Sequence, residues 1–277
     1  MKKLFLLATL AGILSGCASV DTAEQPKEPR KIAVQTYSLN RFTLEDSLQK
    51  LKPLKLDGVE CYPGQQLSAK YPNVKVGPNM NAEQRAYMKK LLAESGLKMV
   101  SFGVASIKDD SEAEPLCQFV KEMGGKRVIT ESPVYFWPSL QTACEKYDLE
   151  FCVHHHATNS SAAYWDTDFV NKHIKKFSLG RTNPDIGHWA RSGIDPVESL
   201  KAYEGNIGSI HVKDEREFGN IKKDHCVPLG KGAIDMKAVL AELDRQGYDG
   251  FFVIEYENEW DNNIPQIKEC VEYLRRN

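Results

Sequence analysis

The residues best suited to chemistry in this chain form an ordered series: Glu60, Glu131, His154 to His156, Asp185 with His188, His211 with Lys213 and Asp214, and Glu255 with Glu257. Imidazoles and carboxylates hold transition metals, and they move protons near neutral pH. Three consecutive histidines stand out in a chain that has seven. On a strand, successive side chains alternate faces, so His154 and His156 share one side and His155 takes the other. Two imidazoles aimed into one cavity form a possible metal site. Taken singly, Glu60 on a loop or His211 in a core would need no chemistry at all.

Short β-branched or aromatic runs precede these groups, at 32–37, 58–61, 99–104, 127–131, 150–154, 178–183, 208–212 and 251–256. Amphipathic stretches separate them, at 44–54, 82–95, 112–123, 139–147, 166–176, 196–203, 236–246 and 264–274, with cap residues such as Thr43 and Asn81 and stops at Gly96 and Gly247. Eight strand-helix units predict the α/β class and a single (β/α)8 TIM barrel over 31–277. A doubly wound open sheet would want a glycine-rich turn after its first strand, and "VQTYSLNRF" has none. Barrel active sites gather at the C-terminal ends of the strands. Six of the eight runs end in members of the series, a concentration that scattered surface charge does not produce.

Composition excludes some partners. Lys and Arg number 36 against 38 Asp and Glu, a net charge of -2, and no basic stripe runs through the chain, so nucleic acid is not an expected partner. The start, "MKKLFLLATLAGILSGC", has two lysines, then an apolar run too short to span a bilayer. Its Leu14-Ser15-Gly16-Cys17 ending resembles a bacterial lipobox. The expectation is a cleaved leader over 1–17 with lipidated Cys17, a polar tether over 18–30, and a body in the periplasm or at the outer membrane, touching membrane only through the lipid. Cys61, Cys117, Cys144, Cys152, Cys226 and Cys270 show no paired spacing, and a body of this size needs no staples, so buried free thiols are expected.

The stretches "VHHHATN", "NPDIGHWARSGIDPVESL", "SIHVKDEREFG", "HCVPLGKGAIDMKAVLAEL" and "FFVIEYENEW" resemble the xylose isomerase-like barrel family, often called sugar phosphate isomerases/epimerases. That family includes inosose dehydratase, ketose 3-epimerases, hydroxypyruvate isomerase, endonuclease IV and lyases of 3-keto-glycosides. The resemblance implies one divalent metal held by residues of the fifth to eighth strands. Three of those positions fall on Asp185, His211 and Glu255. The fifth-strand position, usually glutamate, falls on His154; either His154 ligates or Glu131 supplies the carboxylate. Mixed imidazole and carboxylate ligation suits Mn, Co, Zn or Fe. Such a metal holds adjacent oxygens of a sugar while a base removes the proton between them. Glu131, His188 and His156 are the candidate acids and bases, with Lys213 to polarise an oxygen; Glu60, Trp189, Trp165 and Tyr62 are expected to contact the sugar. Export argues against a phosphorylated substrate. The expected activity is a metal-dependent lyase acting by β-elimination on 3-keto-glucosides or related keto-sugars. A keto-sugar isomerase or epimerase is the alternative, and a non-catalytic carbohydrate-binding lipoprotein the third reading.

Overall fold

The computed structural model describes residues 29–221 and 226–277; the leader, the lipobox cysteine and nearly all of the tether lie outside them. Eight parallel strands form the barrel: β1 Lys31–Gln35, β2 Gly58–Cys61, β3 Met99–Ala105, β4 Arg127–Thr130, β5 Glu150–His154, β6 Gly180–Asn183, β7 Ile210–Val212 and β10 Phe251–Ile254. They pair in the order β6-β5-β4-β3-β2-β1-β10-β7. The gap between β6 and β7 is closed by parallel bridges, Thr182 to Ile207 and Asp185 to His211. Helices α1 Leu44–Leu51, α2 Ala82–Ser95, α3 Ala113–Glu122, α4 Trp137–Tyr147, α5 Thr167–Ile174, α7 Pro196–Lys201, α8 Met236–Arg245 and α9 Ile264–Arg276 connect the strands. The expected (β/α)8 TIM barrel is the observed fold.

Local chemistry explains the boundaries. The Thr43 hydroxyl accepts the Asp46 N–H to start α1, and Asn81 with Gln84 forms a reciprocal capping box on α2. Gly96 ends α2 at φ 72°, a conformation that favours glycine. Two elements were not expected. One is α6, Ile186–Arg191, a six-residue helix too short to carry a periodic signal. The other is a two-stranded antiparallel ribbon, β8 Asp214–Glu215 with β9 Cys226–Val227.

The main core lies between strands and helices, where Leu48, Phe119, Trp137, Phe151 and Leu240 are buried. Inside the barrel, alternation stacks a second set of side chains. At the base these include Ala33, Val100 and Val253, with Glu150 paired to both Arg127 and Arg181 at 3.0 Å. Two residues further along the same strands, or four, stand Gln35, Glu131, His154 and Glu255. Alternation therefore delivers the reactive groups to the C-terminal rim. At the opposite end, Arg30 grips Asp244 through both oxygens at 2.7 and 2.8 Å and lies over the Phe252 ring. The six cysteines of the body are all free and buried.

Candidate metal centre and its cavity

Four buried side chains converge at the rim: His154 from β5, Asp185 after β6, His211 from β7 and Glu255 after β10. One ligand atom from each lies within 4.8 Å of all the others. The residues behind them decide which atoms face inward. His154 Nδ1 meets Glu131 Oε1 at 2.8 Å, which leaves Nε2 directed at Asp185 Oδ2, 3.6 Å away. His211 Nε2 meets Glu60 Oε1 at 2.8 Å, which leaves Nδ1 between Asp185 and Glu255 at 3.7 and 3.2 Å. Each imidazole thus donates one ring N–H to a carboxylate and turns its other nitrogen to the centre. That arrangement orients histidine ligands and raises their basicity. Asp185 divides its oxygens similarly. Oδ1 caps α6 by accepting the His188 N–H at 2.8 Å, while Oδ2 makes no hydrogen bond and has the Lys213 ammonium as its ion-pair neighbour at 3.3 Å. His154 Nε2 is also buried without a hydrogen bond. Buried polar atoms normally have partners, and a divalent ion would satisfy both. The donor set fits the expected metal.

At the position left open on the fifth strand, His154 is the side chain that joins the convergent donor set, and Glu131 stands behind it. Burial alone would lower the His154 pKa, yet the neighbouring carboxylates of Asp185 and Glu131 outweigh burial and raise it to about 9. His211 behaves alike: burial opposes the charge, but Glu60 and Glu255 hold the ring protonated well above its usual range. Glu255 is raised by burial and pulled down further by Lys213 and His211, to about 2.

Beside the centre opens a cavity of about 380 Å³, a size suited to a small ligand. Its walls include Glu131, His154, His156, His188, Glu255 and Glu257, with Tyr37 and Tyr62 opposite. His156 and His188 lie with ring centroids 4.2 Å apart, and burial lowers both pKa values, so both are neutral bases near neutral pH. Burial also pulls Glu131 upward, but His154 wins and its carboxyl stays below the usual range. Glu257 moves the other way. Burial raises its pKa despite a 2.7 Å bond from Lys213, because Glu255 lies beside it.

Four expectations need correction. Trp189 is fully buried, between the His155 ring at 4.9 Å and Tyr203, and cannot stack on a sugar. One residue is about 100° of helix, so α6 turns His188 into the cavity and Trp189 out toward the helical layer. Trp165 is half-buried and lines neither this cavity nor the one beside it. Glu60 is also fully buried, held by Ser101 and His211, and supports a ligand where a sugar contact was expected. Lys213 does not reach the cavity wall. Its ammonium is buried among Asp185, Glu255 and Glu257 at 3.3, 3.0 and 2.7 Å, engaged with carboxylates behind the cavity wall. Its stem passes so close to Gly187 that a Cβ there would fall 2.7 Å from Lys213 Cγ, which gives the glycine of "DIGH" its reason.

Other strand-end groups are structural. His155 points outward as alternation requires, with Nε2 2.7 Å from the Tyr203 hydroxyl, and burial drops its pKa to about 3. Asp214 accepts N–H groups of Gly230 and Gly232 at 2.9 Å and fastens the "LGKG" loop. Glu257, a member of the reactive series with no part of its own assigned there, lines the cavity, as do Tyr37 and Gln35, which carry no signal in the sequence. The two-residue spacing from Glu255 was the available signal for Glu257.

A model of the xylose isomerase-like TIM barrel matches residues 48–277. The chain belongs to that family. Relatives that it matches include inosose dehydratases and an L-ribulose-5-phosphate 3-epimerase of Salmonella. The chain is 31% identical to inosose dehydratase of Geobacillus thermodenitrificans over 146 residues, 47% of this chain and 46% of that protein. It spans 29–46% of the length of the inosose dehydratases of Lacticaseibacillus casei and Geobacillus thermodenitrificans, and 83% of that of Clostridium beijerinckii at 24% identity. Among solved structures, an uncharacterised protein of Parabacteroides distasonis superposes with TM-score 0.72 at 27% identity, covering 89% of this chain and 98% of that one. The 3-keto-D-glucoside 4-epimerase of E. coli superposes with TM-score 0.69 at 15% identity, covering 90% and 100%, and shares the fold. This family member therefore carries the barrel of sugar-modifying enzymes and a buried donor set able to hold a metal.

Proposed function

We propose that this protein is a divalent-metal-dependent lyase that abstracts the proton α to the ketone of a 3-keto-glucoside or related keto-sugar and eliminates the β substituent. The observation that supports this most is a pair of imidazoles, His156 and His188, whose pKa values burial lowers, on the wall of the cavity that also reaches His154 and Glu255 of the donor set. Neutral imidazole is the form that accepts a proton. In a 3-keto-glucoside the acidic proton is on C2 and the leaving group on C1. The His pair takes the C2 proton, the C1–O bond breaks, a C1=C2 double bond forms beside the ketone, and the departing oxygen takes up a proton. Glu257, raised in pKa and on the same cavity, is the group suited to deliver it. His154, Asp185, His211 and Glu255 would hold the metal, which when bound supplies positive charge to the sugar oxygens flanking the acidic carbon. Tyr37 and Tyr62, 5.2 Å apart edge to face, offer an aromatic wall for the ring.

One observation favours a second outcome. Proton-transfer groups stand on separate parts of the cavity wall, imidazoles after β5 and on α6 and Glu257 after β10. With no leaving group, deprotonation by one and reprotonation by the other gives an isomer or epimer. We also propose a neutral substrate and a lipid anchor at Cys17 at the periplasmic or outer membrane, supported by the leader pattern. Mass spectrometry of the mature N-terminus in a native host tests the anchor; an unmodified Met1 would refute it. The reaction is tested by incubating metal-loaded protein with 3-keto-glucose and 3-keto-glucosides in deuterated water. Deuterium at C2, or a primary isotope effect on elimination of C2-labelled substrate, is the expected result. Neither on any keto-sugar tested, with metal bound, would end the proton-abstraction reading.

A further inference from the structure

A second hollow of about 690 Å³ adjoins the first, and the two share Glu131 and Ser106 as common wall. Its sides are the turn after β4, including Tyr135 and Phe136, and the segment 160–164 after β5. Tyr135 is 71% exposed, the largest value among exposed large hydrophobic residues of the described chain, and its ring lies 4.4 Å from that of Phe136. A bare aromatic face of this kind is informative when it is held still at the edge of a pocket. The turn that carries this one is anchored at its first residue. The buried Ser132 carbonyl accepts the Trp137 indole N–H at 2.8 Å and the Tyr164 hydroxyl at 2.7 Å, and its hydroxyl accepts the Ile107 N–H at 2.9 Å. The loops after β3 and β5 and the first residue of α4 are thereby tied to Ser132 at the start of the aromatic turn.

We propose that this hollow is a leaving-group subsite that binds an apolar, ring-bearing aglycone. The assignment rests on the keto-sugar reading and narrows it to glycosides with a flat hydrophobic substituent. A sugar in the first cavity lies against Glu131, and a substituent directed past Glu131 enters the second hollow over the Tyr135 ring. Ring stacking with apolar burial recognises such a group without contacting the reacting carbon. After C1–O cleavage the alcohol already occupies a path open to solvent.

Binding is read without turnover, using methyl and phenyl glucosides as unreactive probes in titration calorimetry of the metal-loaded full chain. The phenyl glucoside is expected to bind roughly tenfold more tightly than the methyl glucoside. Tyr135→Ala, and Ser161→Trp as a plug in the exposed loop, should each reduce that preference to within about twofold while methyl glucoside affinity holds. Equal affinities in the unmodified protein would overturn the subsite, as would variants that weaken both probes alike. A disaccharide gaining the advantage that the phenyl glucoside lacks would overturn the apolar assignment. Failure of deuterium exchange into 3-keto-glucose would instead strike the keto-sugar reading, and a persistent phenyl preference would keep the subsite.

Discussion

Metal affinity should depend steeply on pH, because the ligand nitrogens are held by protons when no metal is bound. The His154 pKa of about 9 comes from its two carboxylate neighbours overriding burial. At pH 7 roughly one ring in a hundred is then neutral, which weakens apparent affinity about a hundredfold. Only the neutral ring ligates, so affinity falls as pH falls below about 9. His154 alone contributes about tenfold per pH unit, and His211, also raised, takes the slope toward a hundredfold. Replacing two protons with one dication also leaves the site's charge unchanged. Competition against a chromogenic chelator from pH 6.5 to 8.5 should show affinity rising at least about a hundredfold. Calorimetry in buffers of different protonation enthalpy should count between one and two protons released per metal. A change below about threefold, or no proton release, would refute the reasoning. Stability of the metal-free protein runs the opposite way. A folded pKa raised from 6.5 to about 9 contributes on the order of 3 kcal/mol, fully present below about pH 6.5 and lost as pH climbs through about 9. Metal-free protein should therefore melt lower at pH 9.5 than at pH 6.5 as far as His154 is concerned, and metal should restore it.

Three substitutions test the supports of the centre. Glu60→Gln keeps an oxygen for His211 but removes the carboxylate, so metal affinity measured at pH 9.5 should drop roughly 10- to 100-fold. Gly187→Ala forces a methyl against the fully buried stem of Lys213 and should cost about 1–3 kcal/mol in thermal or urea unfolding; a variant as stable as the parent would show that Lys213 is free to move. Glu257→Gln should slow turnover of a keto-glucoside roughly 10²–10⁴-fold with metal content unchanged in elemental analysis, and an unaltered rate would remove Glu257 from the proton path.

How much of this was legible beforehand follows from the range of each signal. Alternation is local, so "VHHH" was enough to set His154 and His155 on opposite faces, and the strand ends were enough to gather Asp185, His211 and Glu255. Residues that act across the barrel were harder. Glu60 reaches His211 over 151 positions of sequence, and nothing near Glu60 distinguishes a carboxylate behind a ligand from one facing a sugar. The same limit separated Glu131 as ligand from Glu131 as support. Trp189 was misassigned because α6 has no repeating pattern to give its phase, and a one-residue error rotates a side chain from cavity to core. Lys213 shares the inward face of β7 with His211, but the carboxylates that surround it arrive from two other segments.

The grip of Arg30 on Asp244 has a practical meaning. The first described residues leave from the floor of the barrel, beside the start of β1, whereas the cavity opens at the far rim beyond the strand ends. Residue 29 itself therefore sits at the floor, on the side away from the mouth, and a support joined directly there leaves the mouth unobstructed. The protein can be mounted by that end like a cup on its base, and substrate approaches from the open side.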